Sequence, residues 1–460
     1  MENTMPIATL YARQKTYFES GATLPHAFRD RQLKRLYKAL QQREASLMQA
    51  LRDDLHKSPL EAFSSDIGVV YKEISQMRAG LGDWMKPEAV TSPFMFYPSY
   101  SKIYKVPLGL TLIIGSWNYP VLLMLSPLIG AIAGGNCAIL KPSELAPRCA
   151  AVLEAMIAET FDPAYIGLVQ GEGQEVVPAL MQYRFDHVFF TGSVPVGRQI
   201  MAMAARHPTS VTLELGGKSP CLVDETANIA VAARRIVWGK CWNAGQTCVA
   251  PDYVLVQEQV KDKLVTAMKK YIVQFYGEDP SQSPDLPRLI NEKRFNALLP
   301  YLEQAPILHG GATDRASRFI APTLLDNPPL TATVMQEEIF GPILPVLPYK
   351  NLEDAMEIIA HNPYPLAMYI FTGKRKRELE LITRVRFGGG SVNNTIIHFA
   401  NTELPVGGVG PSGIGRYHGQ YSFETFTHRK SMIKTGTWLD VPVKYPPFGN
   451  KLRWIKRFFR

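Results

Sequence analysis

The sequence predicts an α/β protein of two units with a smaller extended arm. Three observations carry this. An uncharged stretch from Val106 to Leu140 breaks into strand, helix and strand; such alternation recurs along the chain; and a proline- and aromatic-rich segment interrupts it near residues 85–105. The 460 residues suffice for two or three structural units.

The elements follow in order. Up to about Trp84, "HAFRDRQLKRLYKALQQREASLMQALRDDLHKS" has apolar positions at helical spacing and many exposed charges. "KPEAVTSPFMFYPSYSKIYKVP" then reads as an extended excursion. "LTLIIGS" and "CAILKPS" read as strands apolar on both faces, as in a parallel sheet. "PVLLMLSPLIGAIAGG" between them reads as a buried helix with Pro120 in its first turn. A hydropathy window alone would flag 106–140 as membrane-spanning, but its prolines and glycines divide it into pieces too short to span. "GLVQG" and "HVFFTGS" continue the first unit to about Glu214. A second unit runs through strand "SPCLVDE", helix "ANIAVAARRIVWGKCWN", strand "YVLVQEQ", a helix from about Val260 to Tyr276, strand "PILPVLPYK" and helix "NLEDAMEIIAHN". After Gly413 a Tyr/Phe/Thr-rich segment follows.

Composition narrows the function. A net charge of +9 favours anionic partners, but the basic cluster of the C-terminal "KLRWIKRFFR" is confined to the extreme end and makes no broad footprint, which argues against nucleic-acid binding. Five cysteines, an odd number, argue against a disulfide framework and for a reducing compartment. "MENTMPIATLYARQ" lacks the basic-then-apolar pattern of a signal peptide, so a cytoplasmic location is expected.

Several residues could carry chemistry. Cys241 and Cys248 in "CWNAGQTCVAP" have no second Cys/His pair beside them, so no metal site is expected. Cys241 continues a helix and suits a buried packing role; Cys248, in a turn after Gly245, is either a nucleophile or a buried thiol. In "HVFFTGSVPVGRQIM", Gly192, Ser193 and Gly197 lie where a strand becomes a helix, and backbone amides there can approach a phosphate. Glu214 alternates with Val211, Leu213 and Leu215. It is either on a solvated strand face or a base at a strand end. Trp117 and Asn118 end one strand and Lys141 and Glu144 follow the next, where α/β sheets bind ligands, although turn or surface roles fit each. Glu337 and Glu338 precede a Gly-Pro turn and read by default as surface acids.

The series "GSWNYP", "LKPSE", "FTGS", "ELGGKSP", "GQTCVAP", "QEEIFGP" and "PVGGVGPSGIG" resembles, over nearly the whole chain, the NAD(P)-dependent aldehyde dehydrogenases. The short N-terminus and "SGIGRYHGQYSFETFTHRKS" resemble the class 3 and fatty-aldehyde branch. The resemblance implies a Rossmann-like coenzyme domain (1–84 and 106–214), a catalytic domain (215–412) and bridging or oligomerisation segments (85–105 and 413–445), with residues 446–460 as a tail. It implies Cys248 as nucleophile, Glu214 as base, and the Asn118 amide with the Cys248 N–H as oxyanion donors. Trp117, Lys141, Glu144, Gly192, Ser193, Gly197, Glu338 and Phe340 would meet the coenzyme. That coenzyme is NAD, with NADP as the alternative, because Glu144 disfavours a 2′-phosphate. The substrate would be a medium- or long-chain aliphatic or aromatic aldehyde in a funnel walled by Tyr119, Trp242 and Phe399, and the assembly a homodimer. A CoA-acylating enzyme, a thiol acyltransferase or thioesterase, and a non-enzymatic structural protein are the alternatives; the base at Glu214 argues against the first.

In the tail, Leu452, Ile455 and Phe459 fall on one helical stripe, widened by Trp454 and Phe458, among Lys451, Arg453, Lys456, Arg457 and Arg460. A basic amphipathic helix of this kind suits an anionic membrane surface; packing on the protein itself is the alternative.

Overall fold

The computed structural model describes residues 5–459. Two largely parallel sheets form its two halves. In the first, strands run in the order Gly413–Ile414, Ser210–Glu214, His187–Thr191, Leu110–Ile114, Cys137–Lys141, Ile166–Leu168, all parallel except the first. Leu110–Ile114 opens this sheet in chain order and sits inside it, with later strands on both sides. Strand order therefore reverses there, which creates a crevice at the carboxyl ends of the strands. The second sheet has seven strands, from Ile307–His309 at one edge to Gly389–Val392 at the other, with Pro220–Val223 and Tyr253–Gln257 in its interior.

The uncharged stretch forms the expected strand–helix–strand unit. Its strands and the helix Leu122–Gly134 are buried on every side. One detail differs from expectation. The helix starts at Leu122, so Pro120 precedes it. Pro127 lies inside the helix, as the reading of 120–135 as one helix required, because a wholly buried helix gains enough from packing to outweigh one missing hydrogen bond.

Helices Ile7–Glu19, His26–Leu55 and Gly68–Trp84 account for the helical N-terminal region. The excursion forms a three-stranded antiparallel arm from Glu88–Val90, Ser99–Pro107 and Thr427–Thr435. The return segment divides differently from the sequence reading. Gly413–Ile414 joins the first sheet beside Glu214, and helix Gly419–Thr425 packs on Gly68–Trp84 and Leu122–Gly134. Only the later strand belongs to the arm. The tail forms helix Leu452–Phe459 with Leu452, Trp454 and Phe459 exposed; the side chain of Phe458, and Arg460, lie outside the described residues. No helix among the described residues is long and apolar enough to cross a membrane.

Candidate active site

The crevice collects most of the predicted residues because strand ends deliver them. Leu110–Ile114 leads to Trp117 and Asn118, Cys137–Lys141 ends on Lys141, His187–Thr191 leads to Gly192 and Ser193, and Ser210–Glu214 ends on Glu214. The solvated-face alternative for Glu214 fails. Thr212 and Glu214 are buried like Leu213, since the sheet is covered on both faces and Gly413–Ile414 closes its edge. Burial pushes the Glu214 carboxyl well above its usual range. Its Oε1 has no partner.

Cys248 reaches the crevice through a kink. Helix Ile229–Cys241 stops where Asn243 and Ala244 take left-handed conformations (φ 53° and 51°). Gly245 follows at φ 75°, where a Cβ would stand 2.2 Å from the Gly341 carbonyl oxygen, so only glycine fits. Gln246 ties the loop down. Its side-chain amide donates to the carbonyls of Asn243 and Arg288, each at 3.1 Å, its Oε1 accepts from the Ile290 N–H at 2.9 Å, and its backbone carbonyl accepts from Asn118 Nδ2 at 3.1 Å. Two residues on, Cys248 is half-buried while the other four cysteines, Cys241 included, are buried. Burial, then the charges of Glu338 and Glu214, push its thiol far up.

Cys248 opens on a cavity. Tyr119, Trp242 and Phe399, the expected funnel residues, all line it, with Trp238, Leu122 and Ile396. Ser64, Ser65 and Thr247 also line it, but its exposed surface is mostly apolar, which suits an apolar ligand.

Beside it lies a second group. Glu338 is reached through Gly216, where a Cβ would stand 2.1 Å from Glu338 Oε2. It is not the surface acid its sequence context suggested: it is half-buried, and desolvation followed by the Asp252 charge raises it to about 8. Its Oε1 has no partner. Trp117 and Phe340 meet edge to face at 5.4 Å between ring centroids. At the neighbouring strand end Lys141 is hydrogen-bonded to Glu144. Burial raises Glu144, but that bond and the lysine charge outweigh it and leave the carboxyl below its usual value. Ser193 caps helix Val194–Ala204 without a side-chain hydrogen bond, and Gly192 N–H donates to the Glu214 carbonyl at 3.0 Å. Gly197 lets Leu215 approach, since a Cβ there would stand 2.6 Å from Leu215 Cδ2. Thr191 Oγ1 is a further buried atom without a partner. Orphaned polar atoms at strand ends, an uncapped helix start and a facing aromatic pair fit a phosphorylated, ring-bearing coenzyme. No cluster suited to a metal occurs among the described residues.

Sequence reasoning missed the turn 56–66. Lys57 and Asp66 there are completely buried, 2.7 Å apart, and Glu61 accepts the Asn243 N–H at 2.6 Å. It also missed Asp252, which pairs with Lys218 at 2.7 Å and accepts from the Ile339 N–H. The one available signal was the density of charges beside apolar runs.

The sequence profile of the aldehyde dehydrogenase family matches residues 5–432, and the chain belongs to that family. It is 48% identical over 448 residues to the 4,4'-diaponeurosporen-aldehyde dehydrogenase of Staphylococcus aureus, covering 97% of each chain. It is 41% identical over 452 residues to aldehyde dehydrogenase family 3 member A2 of Macaca fascicularis, covering 97% of this chain and 92% of that one. Among solved structures, the substrate-bound Staphylococcus aureus AldH superposes with a TM-score of 0.97 at 47% identity, over 99% of this chain and 100% of the other. An indole-3-acetaldehyde dehydrogenase complexed with NAD+ superposes at 0.85 with 25% identity, over 94% and 89%.

Proposed function

We propose that this enzyme oxidises an apolar aldehyde to its carboxylic acid with NAD, through covalent adducts on Cys248. The observation that carries this reading is the convergence on one half-buried cysteine of a buried carboxyl, Glu214, a half-buried one, Glu338, a side-chain amide one bond from its loop, and a largely apolar cavity. An aldehyde has no leaving group. The Cys248 sulfur adds to the carbonyl carbon, and the oxygen becomes an oxyanion. The Asn118 amide and the Cys248 N–H stabilise it, each donor contributing about 3 kcal/mol. Because the resting thiol is pushed up, attack requires its proton to leave as the sulfur adds, and half-buried Cys248 can pass that proton to solvent. When bound, the nicotinamide supplies the acceptor for hydride from the adduct carbon, leaving an acyl thioester on Cys248. Glu214 then takes a proton from water, the hydroxide displaces the thiolate, and the acid leaves. Glu214 thus favours hydrolysis over transfer to CoA.

Trp117, Glu338 and Phe340 would hold the nicotinamide end, and Gly192, Ser193 and the helix start that Gly197 lets pack closely would hold the phosphates. Lys141 and Glu144 would hold the adenosine ribose, Glu144 favouring NAD over NADP. The arm supports a homodimer: strand Thr427–Thr435 has an unpaired edge and exposes Met432 and Ile433. The tail helix supports contact with an anionic membrane surface. Sedimentation with anionic liposomes should pellet the full chain and not a truncation after Tyr445; equal pelleting overturns the contact.

The test of the activity is a reduced-coenzyme absorbance assay. NAD and NADP are crossed with hexanal, decanal, hexadecanal, benzaldehyde and the aldehyde named for the Staphylococcus relative. Cys248→Ala should abolish turnover and Cys241→Ala retain it. The reverse pattern would remove Cys248 from the mechanism.

A further inference from the structure

The turn "HKSPLEAFSSD" places a completely buried ammonium beside the site, with no part in the chemistry above. A buried ion pair costs several kcal/mol per ion to desolvate and is often no more stabilising than apolar residues of the same volume. What this pair holds is therefore informative. Lys57 Nζ lies 2.7 Å from Asp66 Oδ2 and donates to the backbone carbonyl of Asn118 at 3.0 Å. It also stands 4.0 Å from the centre of the Tyr119 ring. Asp66 Oδ1 accepts from the N–H groups of Val121 and Leu122, both at 3.3 Å. The pair thus grips residues 118–122 at both ends. The Asn118 carbonyl takes a second bond, from Asn243 Nδ2 at 2.9 Å, in the loop that leads to Cys248.

The ammonium's contacts are a carboxylate, a carbonyl and an aromatic face, one for each of its three N–H donors. All three hold the segment that carries Asn118. A guanidinium would offer a planar fork in their place. We propose that Lys57 is a positioning residue: with Asp66 it sets the Asn118 amide, and the Tyr119 wall, where adduct formation on Cys248 needs them. This rests on the oxyanion role proposed for Asn118.

A mutant cycle on the full chain separates the two claims. Lys57→Met alone strands a buried carboxylate and endangers folding, so the working variant is Lys57→Met with Asp66→Asn, which neutralises both partners. Lys57→Arg, which keeps the charge, carries the same test if that variant does not fold. With NAD and decanal, the paired variant should lower kcat by about 10²-fold, as expected of a misplaced reacting group. The KM for NAD should stay within about twofold, since the hydrogen bonds of the pair go to Asn118, Val121 and Leu122 and none goes to Trp117, Glu338 or Phe340. Added to Asn118→Ala, it should cause far less than its own loss in kcat, because its effect on the chemical step passes mainly through Asn118. Losses that multiply in full, or a paired variant with undiminished kcat, overturn the positioning role. An Asn118→Ala enzyme with undiminished kcat overturns the oxyanion reading instead.

Discussion

Replacing Glu73 by Gln should remove one slope from the stability–pH curve. Glu73, in helix Gly68–Trp84, has no solvent exposure. Ser126 Oγ donates to its Oε2 and Ser422 Oγ lies 3.5 Å from its Oε1. It therefore seats helix Gly419–Thr425, and with it Tyr417 and His418, against the first unit. Burial raises the carboxyl to about 7, against the opposing hydrogen bonds from Ser126, Gly419 and Ser422. In the unfolded chain it ionises near its ordinary value of 4.5. Between the two, the unfolded chain has released the proton and the folded one has kept it, so stability falls as pH rises, by about 1.4 kcal/mol per pH unit. The whole loss, about 3 kcal/mol, is absent below pH 4.5 and complete above about 7. Glutamine never ionises and escapes it. Any change in hydrogen bonding adds only an offset that does not vary with pH. A chain of this length unfolds with an entropy on the order of 1 kcal/mol per kelvin, so 3 kcal/mol is about 3 °C in Tm. Thermal unfolding at one scan rate from pH 5 to 8 should show the variant gaining about that much on the parent, with aldehyde oxidation retained. Parallel curves would refute the buried, protonated carboxyl.

Glu214→Gln should leave adduct formation and stop thioester hydrolysis. Rapid-mixing absorbance would then show a burst of about one reduced coenzyme per site and a steady state slower by about 10²- to 10⁴-fold; no burst would argue against Glu214 as the hydrolytic base. In the parent, hydrolysis should accelerate as pH rises, because burial keeps this carboxyl protonated to higher pH and only its ionised form accepts a proton. Gly216→Ala sets a Cβ 2.1 Å from Glu338 Oε2 and must move that carboxyl. The KM for NAD should rise on the order of tenfold, the effect of one lost hydrogen bond to a charged group. An unchanged KM for NAD would place Glu338 outside the coenzyme site.

What the sequence discloses and what it conceals divide along one line: whether a residue's partner is near it in the chain. Strands such as Leu110–Ile114 and Cys137–Lys141 are legible because a parallel strand is apolar on both faces whatever covers it. The strand-end residues are legible as a group because strand ends coincide with the crevice. Glu214 was ambiguous since alternation reports which residues share a face, and not whether a remote pair of residues, Gly413 and Ile414, closes that edge. The left-handed Asn243 and Ala244 are invisible to a helical pattern that runs straight through them. They persist because Glu61 takes the Asn243 N–H and Gln246 binds three segments at once. Lys57 and Asp66 look like two more solvated charges after a charged helix, and their meaning lies about sixty residues away at Asn118, Val121 and Leu122. The motif residues therefore mark the proposed reacting groups, while part of what holds them, the Lys57–Asp66 pair at Asn118, lies outside every motif. A variant chosen from the motifs alone would test the reacting groups and leave their support untouched.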